Sequence, residues 1–496
     1  MRNIKTQGGK TALMSFIKLS NQAYKREYGK FVYFFNNLNA SDMVFIDAHV
    51  FAEKITRRPT EKSKVIDFIL SVYTGVQSVE IVNDFNEFIK ILVRGGYVLE
   101  GKSPEDLERQ ECHFSYDMTR PETEWDVISP PQGQEKILPQ RVLGDFFTEH
   151  PTLFSLQLDI TEACTEHCIH CYVPESKPLF LPFEKIKEVI DQFSEMGGLH
   201  VTISGGECLL HPNFEKIVRY VRQVDCTCRI LSNLTLCDEE KIDLFKDLEC
   251  TVQVSLYSMD PAIHDSITRS PGSHGKTKRA IEKLYQANVP VKISCPTMRE
   301  NFDQYLDVMK YAESMHMRAQ TDCILMAKSN GDKSNLAHRL TLDQTRYVME
   351  DMLTGSIPTM KKFFHPARKK EMPSPEEWAE DKVCGAGIDS ICLEADGSYC
   401  ACAGFQGFSL GNCFKQSLRD VWENSPQLKY IRQLRGKDFP RCIQCKNRDY
   451  CSVCLVRNFN ETGDMLKTVD HFCQVADINR QVVEEYHRTL EREHGK

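Results

Sequence analysis

Leu153-Phe154-Ser155-Leu156-Gln157-Leu158-Asp159-Ile160, followed at once by Thr161-Glu162-Ala163-Cys164-Thr165-Glu166-His167-Cys168-Ile169-His170-Cys171, is the stretch from which the rest of the chain is read. Its first part is a short apolar run, the pattern of a buried strand. Its second part spaces three cysteines C-x3-C-x2-C. Three closely spaced thiolates on one loop can hold three irons of a four-iron cluster and leave the fourth open to a small molecule. Zinc competes for such spacings, but zinc sites usually recruit four protein ligands in C-x2-C pairs.

Downstream, His200-Val201-Thr202-Ile203-Ser204 reads as a second strand and runs into Gly205-Gly206-Glu207. Glycine lacks a Cβ, so backbone groups there can approach a neighbour closely. A helix opens at Leu181-Pro182-Phe183-Glu184 and runs to Met196, where Gly197-Gly198 stops it. Further strands are expected at Arg229–Asn233, Val252–Leu256 and Val291–Ser294, with a sixth near Ala319 to Met326. Strands alternating with helices imply βαβ units and a parallel sheet, with the chemistry at the C-terminal strand ends. Both motifs fall at such ends.

The 496 residues are enough for two or three domains. A net charge of −8 argues against general nucleic-acid binding. No apolar run approaches the ~20 residues of a membrane span, and residues 1–20 lack the apolar core of a signal peptide. The outlier is 21 cysteines. Disulfide-rich scaffolds are short and secreted, so metal ligation in a reducing, cytoplasmic compartment fits better. Gly9-Lys10 and Gly275-Lys276 lack the rest of a phosphate-binding loop.

The cysteine run with His170 at its aromatic position, and Gly205-Gly206-Glu207 after the second strand, resemble the radical S-adenosylmethionine (SAM) enzymes. The resemblance implies a partial (β/α)6 TIM-like barrel over 149–350. It also implies a SAM-binding [4Fe-4S] cluster on Cys164, Cys168 and Cys171. The GGE segment would bind the amino group of SAM, and strand-end Ser255 with Arg269 its ribose or carboxylate. Ordinary strand packing and a surface loop contact are the plainer alternatives for those two.

Cysteines crowd the C-terminal part. Cys384, Cys392 and Asp396-Gly397 precede Cys402; then come Cys442-x2-Cys445-x5-Cys451-x2-Cys454 and a lone Cys473. This resembles the SPASM extension of radical SAM enzymes, which usually holds two auxiliary [4Fe-4S] clusters. Twelve residues separate Cys384 from Gly397 and four separate Gly397 from Cys402, as the family pattern has it. The last pair departs, with two intervening residues in place of three. By resemblance, Cys384, Cys402 and Cys454 hold the first auxiliary cluster, with Cys392 as fourth ligand, Cys400 as runner-up, or an open iron. Cys442, Cys445, Cys451 and Cys473 hold the second. Two zinc ions are the inorganic alternative. Most of the ten remaining cysteines, Cys208 among them, read as small buried hydrophobes.

In the first 112 residues, Phe31–Phe35 and Met43–Ile46 read as strands around Asn36-Asn37, and Lys64–Leu70 and Asn86–Val93 as helices ending at Gly95-Gly96. This resembles the winged-helix-like recognition domain of peptide-modifying radical SAM enzymes, which binds a leader peptide along a sheet edge. A cap without binding role is the alternative. Residues 113–148, with Ser129-Pro130-Pro131-Gln132-Gly133, read as a linker. Residues 351–383 read as a bridging region, 384–480 as the SPASM domain and 481–496 as a C-terminal helix. The whole is expected to cleave SAM reductively to a 5′-deoxyadenosyl radical and take a hydrogen from a ribosomally made precursor peptide. A thioether or a C–C or C–O crosslink would follow, with electrons from a flavodoxin- or ferredoxin-type donor. The competing readings are a SPASM maturase of a protein or small molecule, and a non-catalytic iron–sulfur scaffold. Ala403, directly after Cys402, stands where sulfatase maturases carry aspartate.

Overall fold

The computed structural model describes residues 15–117, 139–354 and 373–494. The chain divides into two compact units, Met1–Phe114 with Glu122–Gly144, and Ser115–Pro121 with Asp145–Lys496. Of the expected linker, 118–138 lie outside the described residues, as do 355–372 of the expected bridging region. Pro139–Glu149 is helical.

The N-terminal unit contains two three-stranded antiparallel sheets. One, in the order β2-β3-β4, is built from β2 (Ala23–Tyr28), β3 (Phe31–Asn36) and β4 (Ser41–Ile46). The other places β1 (Phe16–Leu19) between β5 (Thr60–Glu61) and β6 (Val98–Gly101). Helices Lys62–Val72 and Ser78–Arg94 bury Val65, Ile69, Phe85, Phe88 and Ile89 in a core shared with Val32 and Phe34. The second helix starts eight residues before the expected Asn86, because Ile81 and Phe85 extend its apolar stripe. Strands β1, β2, β5 and β6 were not expected. In β1 the fully buried Lys18, paired with Glu108 and Glu111 at 2.8 Å each, interrupts the apolar signal.

In the second unit, β7 (Ser155–Asp159), β8 (His200–Ser204), β9 (Thr227–Ser232), β10 (Thr251–Ser255), β11 (Val291–Pro296) and β12 (Arg318–Asp322) pair in parallel, each beside the next in chain order. Amphipathic helices join them. Phe183–Glu195, for example, buries Ile186, Val189, Ile190 and Phe193, an i, i+3, i+4, i+7 stripe, and Gly197 stops it at φ +84°. This is the expected partial (β/α)6 barrel. The sheet goes on past its first strand: β13 (Ser390–Leu393) pairs with β7 in parallel, Cys392 opposite Gln157. Antiparallel β14 (Ser398–Cys400) and β15 (Gly411–Asn412) complete nine strands. The cysteine-rich region is thus built onto the barrel sheet. The helix Asp470–His494 is continuous, so residues 481–494 prolong an element that begins before Cys473.

Candidate active site and metal centres

The cysteine loop leaves β7 and crosses the turn after β8. Gly206 N–H donates to Thr161 C=O and Glu207 N–H to Ala163 C=O, each at 2.7 Å. A Cβ at Gly205 would stand 2.4 Å from Thr161 O, and one at Gly206 2.3 Å from Ala163 O. Gly205 also has φ +139°. Here the glycines admit the backbone of the cysteine loop. Glu207 is fully buried, and its carboxylate accepts from Leu209 N–H (3.0 Å), Ser232 Oγ (2.8 Å) and Asn233 N–H (2.8 Å). It therefore ties the ends of β8 and β9 together. Asn233 Nδ2 donates to Thr165 Oγ1 at 2.9 Å and reaches Cys164 Sγ at 4.0 Å. On its other side the loop is pinned to helix Pro261–Thr268 by His167 N–H to Thr268 C=O and Ile169 N–H to Ile267 C=O, both 2.9 Å.

The three loop thiols lie in one another's field, Cys171 acting on both Cys164 and Cys168. Burial pushes Cys164 up to about 12 and raises Cys168 and Cys171. A desolvated thiol keeps its proton unless a cation replaces it. His170 is held down at about 4 by burial, with its Nε2 3.5 Å from Tyr257 Oη. Tyr257 also donates toward Cys168 Sγ at 3.9 Å. His170 Nδ1 and Glu166 Oε1 are buried polar atoms with no protein partner. Three ligand-type thiols beside unsatisfied polar atoms fit a bound cluster with its SAM. Ser255 closes β10, two residues before Tyr257. Arg269 is exposed, in the left-handed region at φ +53°.

Two further thiol sets form in the C-terminal region. Cys402 feels both Cys454 and Cys384, and burial pushes it up to about 11. Cys442 feels Cys451, Cys473 and Cys445, and is likewise raised by burial to about 11. Cys442, Cys445, Cys451, Cys454 and Cys473 line one cavity of about 210 Å³. Soft sulfur donors in groups of three and four fit iron–sulfur clusters. Cys392 is placed differently. Its Sγ lies 3.7 Å from Asp159 Oδ2 and 3.8 Å from Glu394 Oε1, and all three groups are buried. Cys400 sits opposite Cys392 across β13 and β14.

Sequence reasoning did not single out Glu166, Asn233, Tyr257 or the Asp159–Glu394 pair. Glu166 could have been found, since it sits inside the cysteine run; burial lifts it to about 7. Glu394 is pushed to about 8 by burial and by Asp159, while Gln406 donates to it at 2.7 Å. Nothing in the sequence brings Asp159 to Glu394, because β13 joins β7 from 231 residues away in sequence.

Residues 158–312 match the radical SAM superfamily, and residues 384–454 match the SPASM iron-sulfur cluster-binding domain. The barrel, its cysteine loop and the thiol sets thus belong to a protein built around iron–sulfur clusters and SAM. Residues 158–312 are thus a radical SAM domain, and residues 384–454 a SPASM domain. The subtilosin biosynthesis protein AlbA of Bacillus subtilis is 25% identical over 72% of this chain and 82% of its own length. The mycofactocin maturase MftC of Mycolicibacterium smegmatis is 26% identical over 61% and 78%, and the AdoMet-dependent heme synthase of Methanosarcina barkeri 24% over 64% and 95%. Among solved structures, Streptococcus suis SuiB bound to precursor peptide SuiA matches with a TM-score of 0.58 at 14% identity, over 92% of this chain and all of that one. The anSMEcpe structure with AdoMet and a Cp18Cys peptide matches with 0.54 at 17%, over 68% and all of that chain.

Proposed function

We propose that the chain is a maturase that binds a ribosomally made precursor peptide and modifies one of its residues by radical SAM chemistry. The observation that carries this reading is the pairing of the cluster-bearing second unit with an N-terminal unit. The likeness to SuiB extends over 92% of the chain, whereas that to anSMEcpe spans 68%. AlbA and MftC, both named for biosynthesis or maturation, support the same class.

When bound, the cluster and SAM supply a radical able to take an unactivated hydrogen from the substrate. The protein's part is holding and exclusion. Cys164, Cys168 and Cys171 would hold the SAM cluster, on a loop clamped by Gly205, Gly206 and Glu207. His170 and Tyr257 close one side of that loop with apolar ring surface. Glu166 offers its unsatisfied oxygen beside Cys168. Cys384, Cys402 and Cys454 would hold one auxiliary cluster, and Cys442, Cys445, Cys451 and Cys473 the other. Cys392, engaged with Asp159 and Glu394, is not needed for either set. Ser255 and Arg269 remain candidates for SAM's polar groups. Electrons would come from a flavodoxin- or ferredoxin-type donor. All 21 cysteines are free thiols, which suits the cytoplasm.

Leader binding is assigned to β4. It is one of the two outer strands of its sheet, β2 being the other, and Ile46 at its end is 59% exposed. An unpaired strand edge accepts an extended peptide as one more strand. Ile46→Asp should weaken leader binding at least about tenfold, roughly 1.4 kcal/mol, in fluorescence anisotropy. Peptide-free SAM cleavage should stay unchanged.

The heme synthase relatives favour a second reading, a small-molecule substrate, in which the N-terminal unit is a cap. The deciding experiment is anaerobic. Reconstituted protein is given dithionite, SAM and each short peptide that open reading frames beside its gene encode, and the peptides are analysed by mass spectrometry. Loss of two hydrogens marks a crosslink, and deuterium incorporation from solvent without mass loss marks epimerisation. 5′-Deoxyadenosine formed with no peptide binding or change would favour the small-molecule reading.

A further inference from the structure

Arg457 is 9% exposed and lies in the first turn of helix Leu455–Thr462, whose preceding residue is Cys454. Its Nη2 donates to Ser452 C=O at 2.7 Å, between Cys451 and Cys454 in the chain, and its guanidinium packs 4.3 Å from the centroid of Phe472, beside Cys473. It lines the cavity formed by the second thiol set and Cys454. Its positive field acts on Cys384 of the first set and on Cys451 of the second.

A buried arginine normally has a carboxylate partner. Arg339 shows the rule nearby. It packs 4.8 Å from the same Phe472 ring and is neutralised by a two-pronged pair with Glu461. Arg457 has no such partner among the described residues. Asp322 feels it only from beyond ion-pairing distance and accepts instead from Ile324 N–H. The ligand-type groups that its charge acts on are cysteine thiols from both sets, which become anionic once they ligate a metal.

We infer that Arg457 is an electrostatic positioning residue shared by the two auxiliary clusters, and that its fixed charge raises the reduction potential of both. This rests on the reading above that the two thiol sets hold clusters. Reduction adds negative charge, and net charge, hydrogen bonding and burial set cluster potentials. A guanidinium is always protonated, and in a low-dielectric site its attraction for the reduced state is only weakly screened. Its place between the sets makes the effect common to both, whereas Arg339, already paired, contributes little net charge.

The test compares wild type, Arg457→Lys, Arg457→Gln and Arg457→Met as anaerobically reconstituted full-length proteins. Iron is counted in each, and the cluster signals are followed by electron paramagnetic resonance through a redox titration. In the Gln variant, the reduced-to-oxidised ratio of both auxiliary clusters at fixed potential should fall at least about tenfold, ~59 mV for a one-electron couple. Arg457→Lys should stay close to wild type, and the SAM-cluster signal should not move. Arg457→Met, which fills the space against Phe472 without charge, replaces the Gln variant if that one fails to fold. Unchanged potentials in a neutral variant with full iron would overturn the inference. So would an equal shift in the Lys variant, which would make shape the cause. Loss of auxiliary iron in both neutral variants but not in Lys supports the role of charge, and loss in all three makes Arg457 a folding residue and overturns it. Wild-type protein without auxiliary iron would instead overturn the cluster assignment.

Discussion

At Gly206 the missing Cβ leaves room for Ala163 C=O, which would stand 2.3 Å from it. Gly206→Ala must push the cysteine loop away from β8, at a cost of roughly 1–3 kcal/mol. Because the loop carries the thiols proposed to hold the SAM cluster, this variant should lose 5′-deoxyadenosine formation in a chromatographic assay while keeping its auxiliary iron. Glu207 shows how a motif residue can serve the fold first: its carboxylate is saturated by Leu209, Ser232 and Asn233. Cys392 shows the reverse, a cysteine that the family resemblance proposes as a cluster ligand and that packing places on two carboxyls. Those carboxyls have a pH signature. Glu394 is raised to about 8 in the folded state, with burial the main cause, and Asp159 is raised too. Their protonated forms therefore favour folding. That contribution is fully present below the ordinary carboxyl range and is lost as pH rises through about 8. Urea unfolding of the reconstituted protein should show stability falling over this window, and Glu394→Gln should flatten the slope.

Among elements, β13 decides how the two parts of the second unit meet. It extends the barrel sheet on β7, so the cysteine-rich region shares the barrel's hydrogen-bond ladder. Helix Leu455–Thr462 adds a second tie. Glu461 pairs with Arg339, which also donates to Leu325 C=O, and Asn460 Nδ2 donates to Ala327 C=O (3.3 Å) and Gly404 C=O (3.0 Å). Both members of the ion pair are less than a tenth exposed. Glu461→Ala leaves a buried guanidinium alone and should cost roughly 3–5 kcal/mol. The denaturant midpoint should fall accordingly, and an Arg339→Met, Glu461→Leu double variant should recover most of the loss.

For the molecule as a whole, three thiol sets imply about twelve irons if each holds a four-iron cluster. Replacing Cys164, Cys168 and Cys171 by alanine should remove about a third of them and abolish SAM cleavage, with the auxiliary iron retained. Chelation of all iron should have the opposite balance. The barrel keeps its apolar strands and helices, while the region after Cys384 loses the groups that tie its short helices together. Limited proteolysis of the iron-free protein should therefore cut within 384–480 and leave the barrel intact. Among the described residues no helix is long and apolar enough to cross a membrane.

The cysteine spacings, the glycines after β8 and the alternation of strands and helices were all local, and local patterns were sufficient for the class of protein and its barrel. Thiolate ligation needs closely spaced cysteines, and a parallel strand needs a short apolar run, so each leaves its mark within about ten residues. What belongs to tertiary structure alone are the meetings across long sequence separations. The approach of β13 to β7 sets Cys392 against Asp159. The buried network around Glu207 ties β8 to β9. Among the described residues no carboxylate pairs with Arg457, which leaves its charge to two sets of thiols. Burial and pairing depend on what arrives from elsewhere in the chain, and only the folded molecule brings those groups together.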